Sequence, residues 1–283
     1  MLKSKKGKNM KKNWLDGKTV IITGASGGIG FALSKALIEK HDCKIIGIAR
    51  NKEKIEKAID NLGEKKSNFS YLLFDVSKFE NWKILSDYLK DNRITPDVLI
   101  NNAGFMLPFK SFENCTIDEI DEIVATDIKS VLYGIKTIMP DIKKSDFPAI
   151  INVSSAAGLC AVAGESLYCA SKFAVRGFTE TLRAEYHKKI FVSGIYPGFI
   201  ETDIVDRMNL NKDDEKTIKK MMMPLPKATD RIVKGLERKK YHICFGKDGK
   251  LMSVFSKLFP KLTPLIIAKV LKDSGLKTFD EMK

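Results

Sequence analysis

Between residues 18 and 195 short apolar runs alternate with longer stretches in which apolar positions recur every three or four residues. The runs at 18–23 (KTVIIT), 44–49 (KIIGIA), 69–74 (FSYLLF), 97–101 (DVLIN), 149–153 (AIINV) and 190–195 (IFVSGI) predict six strands rich in β-branched residues. Several are apolar at nearly every position, as strands buried on both faces are. The stretches 28–40, 52–62, 117–139 and 168–189 predict helices, and a further helical stretch at 232–240 leads into a strand-like 241–245. This alternation predicts an α/β fold: a doubly wound, Rossmann-like parallel sheet, helices on both faces, ligands at the carboxyl ends of its strands. The predicted organisation is a basic flexible arm over 1–16, one domain over 17–248 and a basic amphipathic tail over 249–283.

In that tail Leu251, Val254, Phe255, Leu258, Phe259 and Leu262 recur at helical spacing among Lys250, Lys257, Lys261, Lys269 and Lys272, and Pro260 and Pro264 should break or kink the segment. Such a tail fits an anionic membrane surface or packing on its own body or another subunit. Its lysines belong to a wider asymmetry. The chain of 283 residues carries 49 Lys and Arg against 35 Asp and Glu, a net +14. The excess lies at the ends: six lysines and no acid in 1–12, and thirteen basic against five acidic residues in 231–283. No recognised nucleic-acid module accompanies the charge, so no nucleic-acid partner is expected. Five cysteines without a C-x-x-C pair and three histidines without metal-ligand spacing predict neither a disulfide framework nor a metal site. No apolar run is long enough to span a bilayer, and no apolar stretch follows the lysine-rich start as a secretory signal requires. A cytoplasmic setting, with peripheral membrane contact through the tail, is the expectation.

Candidate chemistry starts where the first strand meets the first helix. Thr23-Gly24-Ala25-Ser26-Gly27-Gly28-Ile29-Gly30 is a glycine-rich turn that lets backbone approach a pyrophosphate at a helix N-terminus. The second strand ends in Ala49-Arg50, where an NAD-selecting site would place an acid; a guanidinium there suits a 2′-phosphate and favours NADP(H), the alternative being a solvated arginine. Tyr168-Cys169-Ala170-Ser171-Lys172 sets a phenol and an ammonium four residues apart on one helix face, and Ser155 lies thirteen residues earlier, just past the fifth strand. A phenol with an ordinary pKa near 10 serves as an acid–base at neutral pH only beside a cation. Lys172 would supply that cation and Ser155 would polarise a carbonyl, with the neighbouring Ser154 turned to the opposite face. Residues 197–226 include Met208, Leu210 and Met221-Met222-Met223, an adaptable apolar lid or ordinary core filling.

Together these motifs, with Asp75 after the third strand, Asn101-Asn102-Ala103-Gly104 after the fourth, and Pro197-Gly198 followed by Thr202, resemble the short-chain dehydrogenase/reductase family over roughly 17–245. The resemblance implies that Gly24, Ser26 and Ile29 surround the pyrophosphate and Asp75 the adenine, with Gly28, Gly30 and Val76 also among the cofactor-binding residues. It puts Asn102 and Ala103 by the adenosine ribose and Lys172 by the nicotinamide ribose, with Gly104 and Tyr168 also binding the cofactor. Pro197, Gly198, Ile200 and Thr202 would flank the nicotinamide, and the long helix holding Tyr168 would join a homo-oligomer, dimer or tetramer. One departure is Asp127, at the position where the family carries an asparagine that supports a water beside the lysine; it would act in a modified proton relay and could raise the Lys172 pKa. The tail is also loosely similar to reductases of long-chain keto lipids such as the 3-ketodihydrosphingosine reductases. The expected activity is NADPH-dependent reduction of an apolar or lipid-like ketone, a small-molecule substrate. The alternatives are reduction of a 3-oxoacyl thioester on acyl carrier protein, or a cofactor-binding regulatory protein with little turnover.

Overall fold

The computed structural model describes residues 13–202, 212–246 and 254–273. Seven strands, β1 (Thr19–Thr23), β2 (Lys44–Ala49), β3 (Phe69–Leu73), β4 (Val98–Asn101), β5 (Ala149–Val153), β6 (Phe191–Pro197) and β7 (His242–Phe245), form one sheet in the order β3-β2-β1-β4-β5-β6-β7. Every adjacent pair is parallel. The helices between them are α1 (Gly28–His41), α2 (Lys52–Asp60), α3 (Trp82–Asp91), α4 (Ile117–Ile123), α5 (Ser130–Ile142), α6 (Ser166–Glu185), α7 (Lys212–Met221) and α8 (Leu225–Glu237). The chain builds outward from β1 on one side and from β4 on the other, so the crevice between them opens beyond their carboxyl ends.

Burial on both faces explains the unbroken apolar strands. Val20, Ile22, Ile45, Ile100 and Ile151 meet α1 and α8, while Ile21, Ile46, Leu99 and Ile150 meet α3, α5 and α6. Each fully buried side chain of this size contributes about 1.5–3 kcal/mol.

Four details differ from the sequence expectation. Residues 13–16, assigned to the arm, pack on the body: Leu15 is buried, and Trp14 meets Phe147 at a tilt and Phe191 edge-on while its indole N–H donates to the Leu236 carbonyl at 2.8 Å. The rest of the arm lies outside the described residues, as do Met208, Leu210 and Leu251. The stretch 117–139 is not one regular helix, because a π-helical turn over Val124–Lys129 separates α4 from α5. The stretch 168–189 starts earlier and ends at Glu185. In the tail, Pro260 does separate a short helical turn at 254–258 from a last helix, α9 (Leu262–Asp273). Pro264 breaks nothing, since it falls in the first turn of α9, where no intrahelical N–H is required.

Candidate active site

The glycine turn owes its shape to two close approaches. Gly24 has φ +67°, and a Cβ there would come within 3.0 Å of the Asn102 amide nitrogen; on Gly30 it would run into the Gly24 carbonyl. Thr23 ties the turn to the end of β4: its hydroxyl oxygen accepts from the Asn102 and Ala103 N–H groups at 2.9 Å each, and the Asn102 side chain donates to the Thr23 carbonyl at 3.0 Å. The N-cap of α1 is Gly27, which offers no side-chain cap and leaves the helix's first N–H groups for an anion.

From this turn a cleft of about 480 Å³ runs along the carboxyl edge of the sheet. One end is walled by Gly24, Ser26, Gly28 and Ile29, with Asp75 and Val76 beside them. Arg50 faces that end together with Lys54, a residue that sequence reasoning passed over although it sits in the first turn of the next helix. Asn102, Ala103, Gly104, Pro197, Gly198, Ile200 and Thr202 line the middle, and Ser155, Tyr168 and Lys172 its inner wall. Two expected members do not reach the surface of the cleft: Gly30 lies behind the turn as packing, and Asp127 lies behind Lys172.

Local folding brings the acid–base groups together. Tyr168 and Lys172 are successive-turn neighbours on α6, with the Lys172 ammonium 5.2 Å from the Tyr168 ring centre. Ser155 is extended at the end of β5, accepts from the Ala157 N–H at 3.1 Å and hydrogen-bonds the phenol. Ser154 turns elsewhere: its hydroxyl donates to the Lys172 carbonyl at 2.8 Å and so pins α6 to the sheet. The π-helical turn delivers Asp127, whose carboxylate pairs directly with Lys172 at 2.9 Å and also accepts from the Phe105 N–H at 3.0 Å and the Ser171 hydroxyl at 3.2 Å. Gly104 presses on this pair, since a Cβ there would approach both Asp127 and Lys172 to 3.0 Å.

The charges set the proton chemistry. Burial depresses the Lys172 ammonium, but Asp127 and then Tyr168 outweigh it, so the group stays firmly protonated. Burial raises the Tyr168 phenol; Lys172 pulls it down, Asp127 pushes it back up, the Ser155 hydrogen bond lowers it and Glu165 raises it, leaving it above the ordinary range. The expectation of a phenol brought down by Lys172 is therefore not met: burial outweighs that cation, and Asp127 offsets part of its pull.

The other end of the cleft is apolar. Met106, Phe109, Val162 and Met222 line it, and Ile218 of α7 and Leu271 of α9 pack behind. Met222 therefore lines the cleft from within a small apolar cluster, while Met223 packs on the main core. Glu165 also lines this end, buried at 5% exposure. Nothing in the sequence singled it out except an acid in a run of small and apolar residues.

Against known proteins, a family model described as short chain dehydrogenase matches residues 18–213. An uncharacterized oxidoreductase of Staphylococcus saprophyticus is 34% identical over 204 residues, covering 71% of this chain and 81% of its own length. A 3-ketodihydrosphingosine reductase of Dictyostelium discoideum is 32% identical over 274 residues, covering 88% of this chain and 80% of its own. Among solved structures, a short-chain dehydrogenase/reductase from Burkholderia phymatum in complex with NAD has the same fold, with a TM-score of 0.78 at 19% identity over 89% of this chain and 96% of that one.

Proposed function

The chain belongs to the short-chain dehydrogenase/reductase family, nicotinamide-dependent oxidoreductases, and from that premise we propose that it reduces an apolar ketone with NADPH. The observation that carries this reading is the convergence of Ser155, Tyr168 and Lys172 on the cleft wall between the glycine turn and an apolar end. The residues fit a dinucleotide: the uncapped α1 N-terminus and the glycine turn suit its pyrophosphate, and Arg50 and Lys54 suit a 2′-phosphate, which favours NADP(H) over NAD(H). When bound, the dinucleotide supplies the hydride that reaches the carbonyl carbon.

The side chains do the rest. Ser155 holds and polarises the carbonyl oxygen, and Tyr168 gives that oxygen a proton as its charge develops. A phenol held above its ordinary range stays protonated through neutral pH, which suits the reductive direction. Lys172 stabilises the phenolate left behind. Asp127 keeps Lys172 charged and in place without touching the cleft, and is a positioning residue in this reading. Met106, Phe109, Val162 and Met222 receive the apolar part of the substrate.

The full-length protein, assayed with NADPH and with NADH against ketones of increasing chain length, tests the proposal. NADPH oxidation should favour longer ketones, exceed that with NADH, and fall by about 10²–10⁴-fold in Tyr168→Phe. Equal rates for the variant and the parent would remove Tyr168 from the mechanism.

The apolar side of the tail supports a further element of the reading, contact with a lipid surface. Val254, Leu258, Leu262, Leu265, Ile266 and Val270 are all exposed, among lysines that suit anionic head groups. No helix among the described residues is long and apolar enough to cross a membrane. For a homo-oligomer, exposed Phe173 on α6 and Leu132 on α5 give apolar anchor points.

A further inference from the structure

We propose that Lys110 and Glu119 form a latch that sets the shape of the apolar end of the cleft, and with it the preference for long apolar substrates; this deepens the reductase reading above and rests on it. Residues 102–111 belong to no helix or strand. Met106 and Phe109 of this segment line the apolar end, and both are buried. A segment without a hydrogen-bonded ladder of its own keeps one conformation only where other groups hold it. Two carboxylates do so here. At the start of the segment's cleft-facing part the Phe105 N–H donates to Asp127 at 3.0 Å. At its end the Lys110 ammonium donates to both Glu119 carboxylate oxygens, at 2.5 and 2.7 Å.

Both carboxylates stand on one rod. α4 runs without a break into the π-helical turn, so Glu119 and Asp127 share a continuous helical stretch. Asp127 also pairs with Lys172 at 2.9 Å. The wall that receives the apolar part of the substrate and the cation beside Tyr168 are therefore mounted on the same element. A further tie holds the segment against the chain leading into α6: the Lys110 N–H donates to the Gly164 carbonyl at 3.0 Å. Glu119 is itself held in place by the capping box at the start of α4. Its carboxylate accepts from the Thr116 N–H at 2.8 Å, and its own N–H donates to the Thr116 hydroxyl at 3.2 Å.

Lys110 and Glu119 do not line the cleft, so they act through the residues they hold and are positioning residues. Their side chains are only 22% and 23% exposed, which shields the pair from much of the solvent that weakens surface ion pairs. Phe109, next to Lys110 in the chain, packs with Ile218 and Met222, so the latch also sets the segment against α7. Releasing it frees Phe109 to move. A long alkyl chain that reaches the apolar end then loses contacts, whereas a short ketone held at Ser155 and Tyr168 has few to lose there.

The test measures NADPH-linked reduction of a long and a short methyl ketone by the full-length protein, Lys110→Met, Glu119→Gln and Lys110→Arg. The long-to-short ratio of kcat/KM should fall about three- to fivefold in Lys110→Met and Glu119→Gln, chiefly through KM for the long ketone. Glutamine still serves a capping box, so a loss in Glu119→Gln reports the missing charge and not a frayed α4. Lys110→Arg, whose guanidinium can grip both carboxylate oxygens, should keep the parent ratio. A ratio unmoved in both Lys110→Met and Glu119→Gln, including equal falls for the two ketones, overturns the latch, as does a loss that Lys110→Arg shares in full. A second arm needs no turnover: calorimetric titration with octanol and with butanol. Octanol selectivity that falls in Lys110→Met and returns in Lys110→Arg supports the latch even if no ketone is reduced, an outcome that would count against the reductase reading alone. Selectivity equal in the parent, Lys110→Met and Glu119→Gln overturns the latch whatever the enzyme reduces.

Discussion

At the residue scale, one carboxylate in place of an amide changes the acid–base balance of the site. Asp127 raises both Lys172 and Tyr168. Asp127→Asn removes a negative charge beside them, so the phenolate becomes easier to form and the phenol pKa falls. The alkaline limb of reductive kcat/KM, set by loss of the phenol proton, should therefore move to lower pH, and a profile identical to the parent would show that Asp127 does not govern Tyr168. Glu165 offers the opposite case, a group whose own burial is uncompensated. Its folded pKa is raised well above the ordinary carboxyl range by burial. Its contribution to stability is therefore whole below about pH 4, near the unfolded value, and is lost as pH rises through the raised folded value. Glutamine does not titrate, so Glu165→Gln should gain on the parent in denaturant unfolding as pH increases above the ordinary carboxyl range. Parallel stability curves for the two proteins would refute the assignment.

At the scale of elements, the turn between β1 and α1 works because two glycines let three backbone segments touch. Gly30→Ala places a methyl group against the Gly24 carbonyl and the Asn102 side chain. It should cost about 1–3 kcal/mol of stability and weaken NADPH binding, measurable by quenching of intrinsic fluorescence; unchanged affinity would mean that the turn tolerates being opened. This element was legible in the sequence, as were the strands, because both report local constraints: glycine where no Cβ fits, and apolar residues at every position where a strand has helices on both sides. The π-helical turn at Val124–Lys129 was not, since a one-residue widening leaves apolar spacing almost unaltered. The direct Asp127–Lys172 contact was half legible: the unusual aspartate stood out, but only the widened turn brings it within 2.9 Å of Lys172. Glu165 was invisible because its significance is its burial, which depends on α6, the segment before it and the far wall together. Lys54 was missed for the same reason, a helix-surface lysine by pattern that faces the cleft by topology.

At the scale of the whole molecule, the tail does two things at once. α9 shows most of its apolar residues to solvent yet sends Leu271 back to the cluster of Met106, Phe109, Ile218 and Met222. Deleting 249–283 should lower kcat/KM for long ketones about tenfold more than for short ones, the scale of losing one buried aliphatic contact, and should abolish sedimentation with anionic vesicles. Vesicle binding that survives the deletion would assign it to another surface. The unpartnered carboxyl within the cleft has a practical corollary. A buried carboxyl without a hydrogen-bond partner costs the fold free energy, and any molecule that binds the folded protein in this cleft must raise the temperature at which the fold gives way, by an amount that grows with its concentration. Heating the protein through a library of amphiphilic metabolites would thus sort candidates by their fit to that chamber, with no need to guess the chemistry in advance.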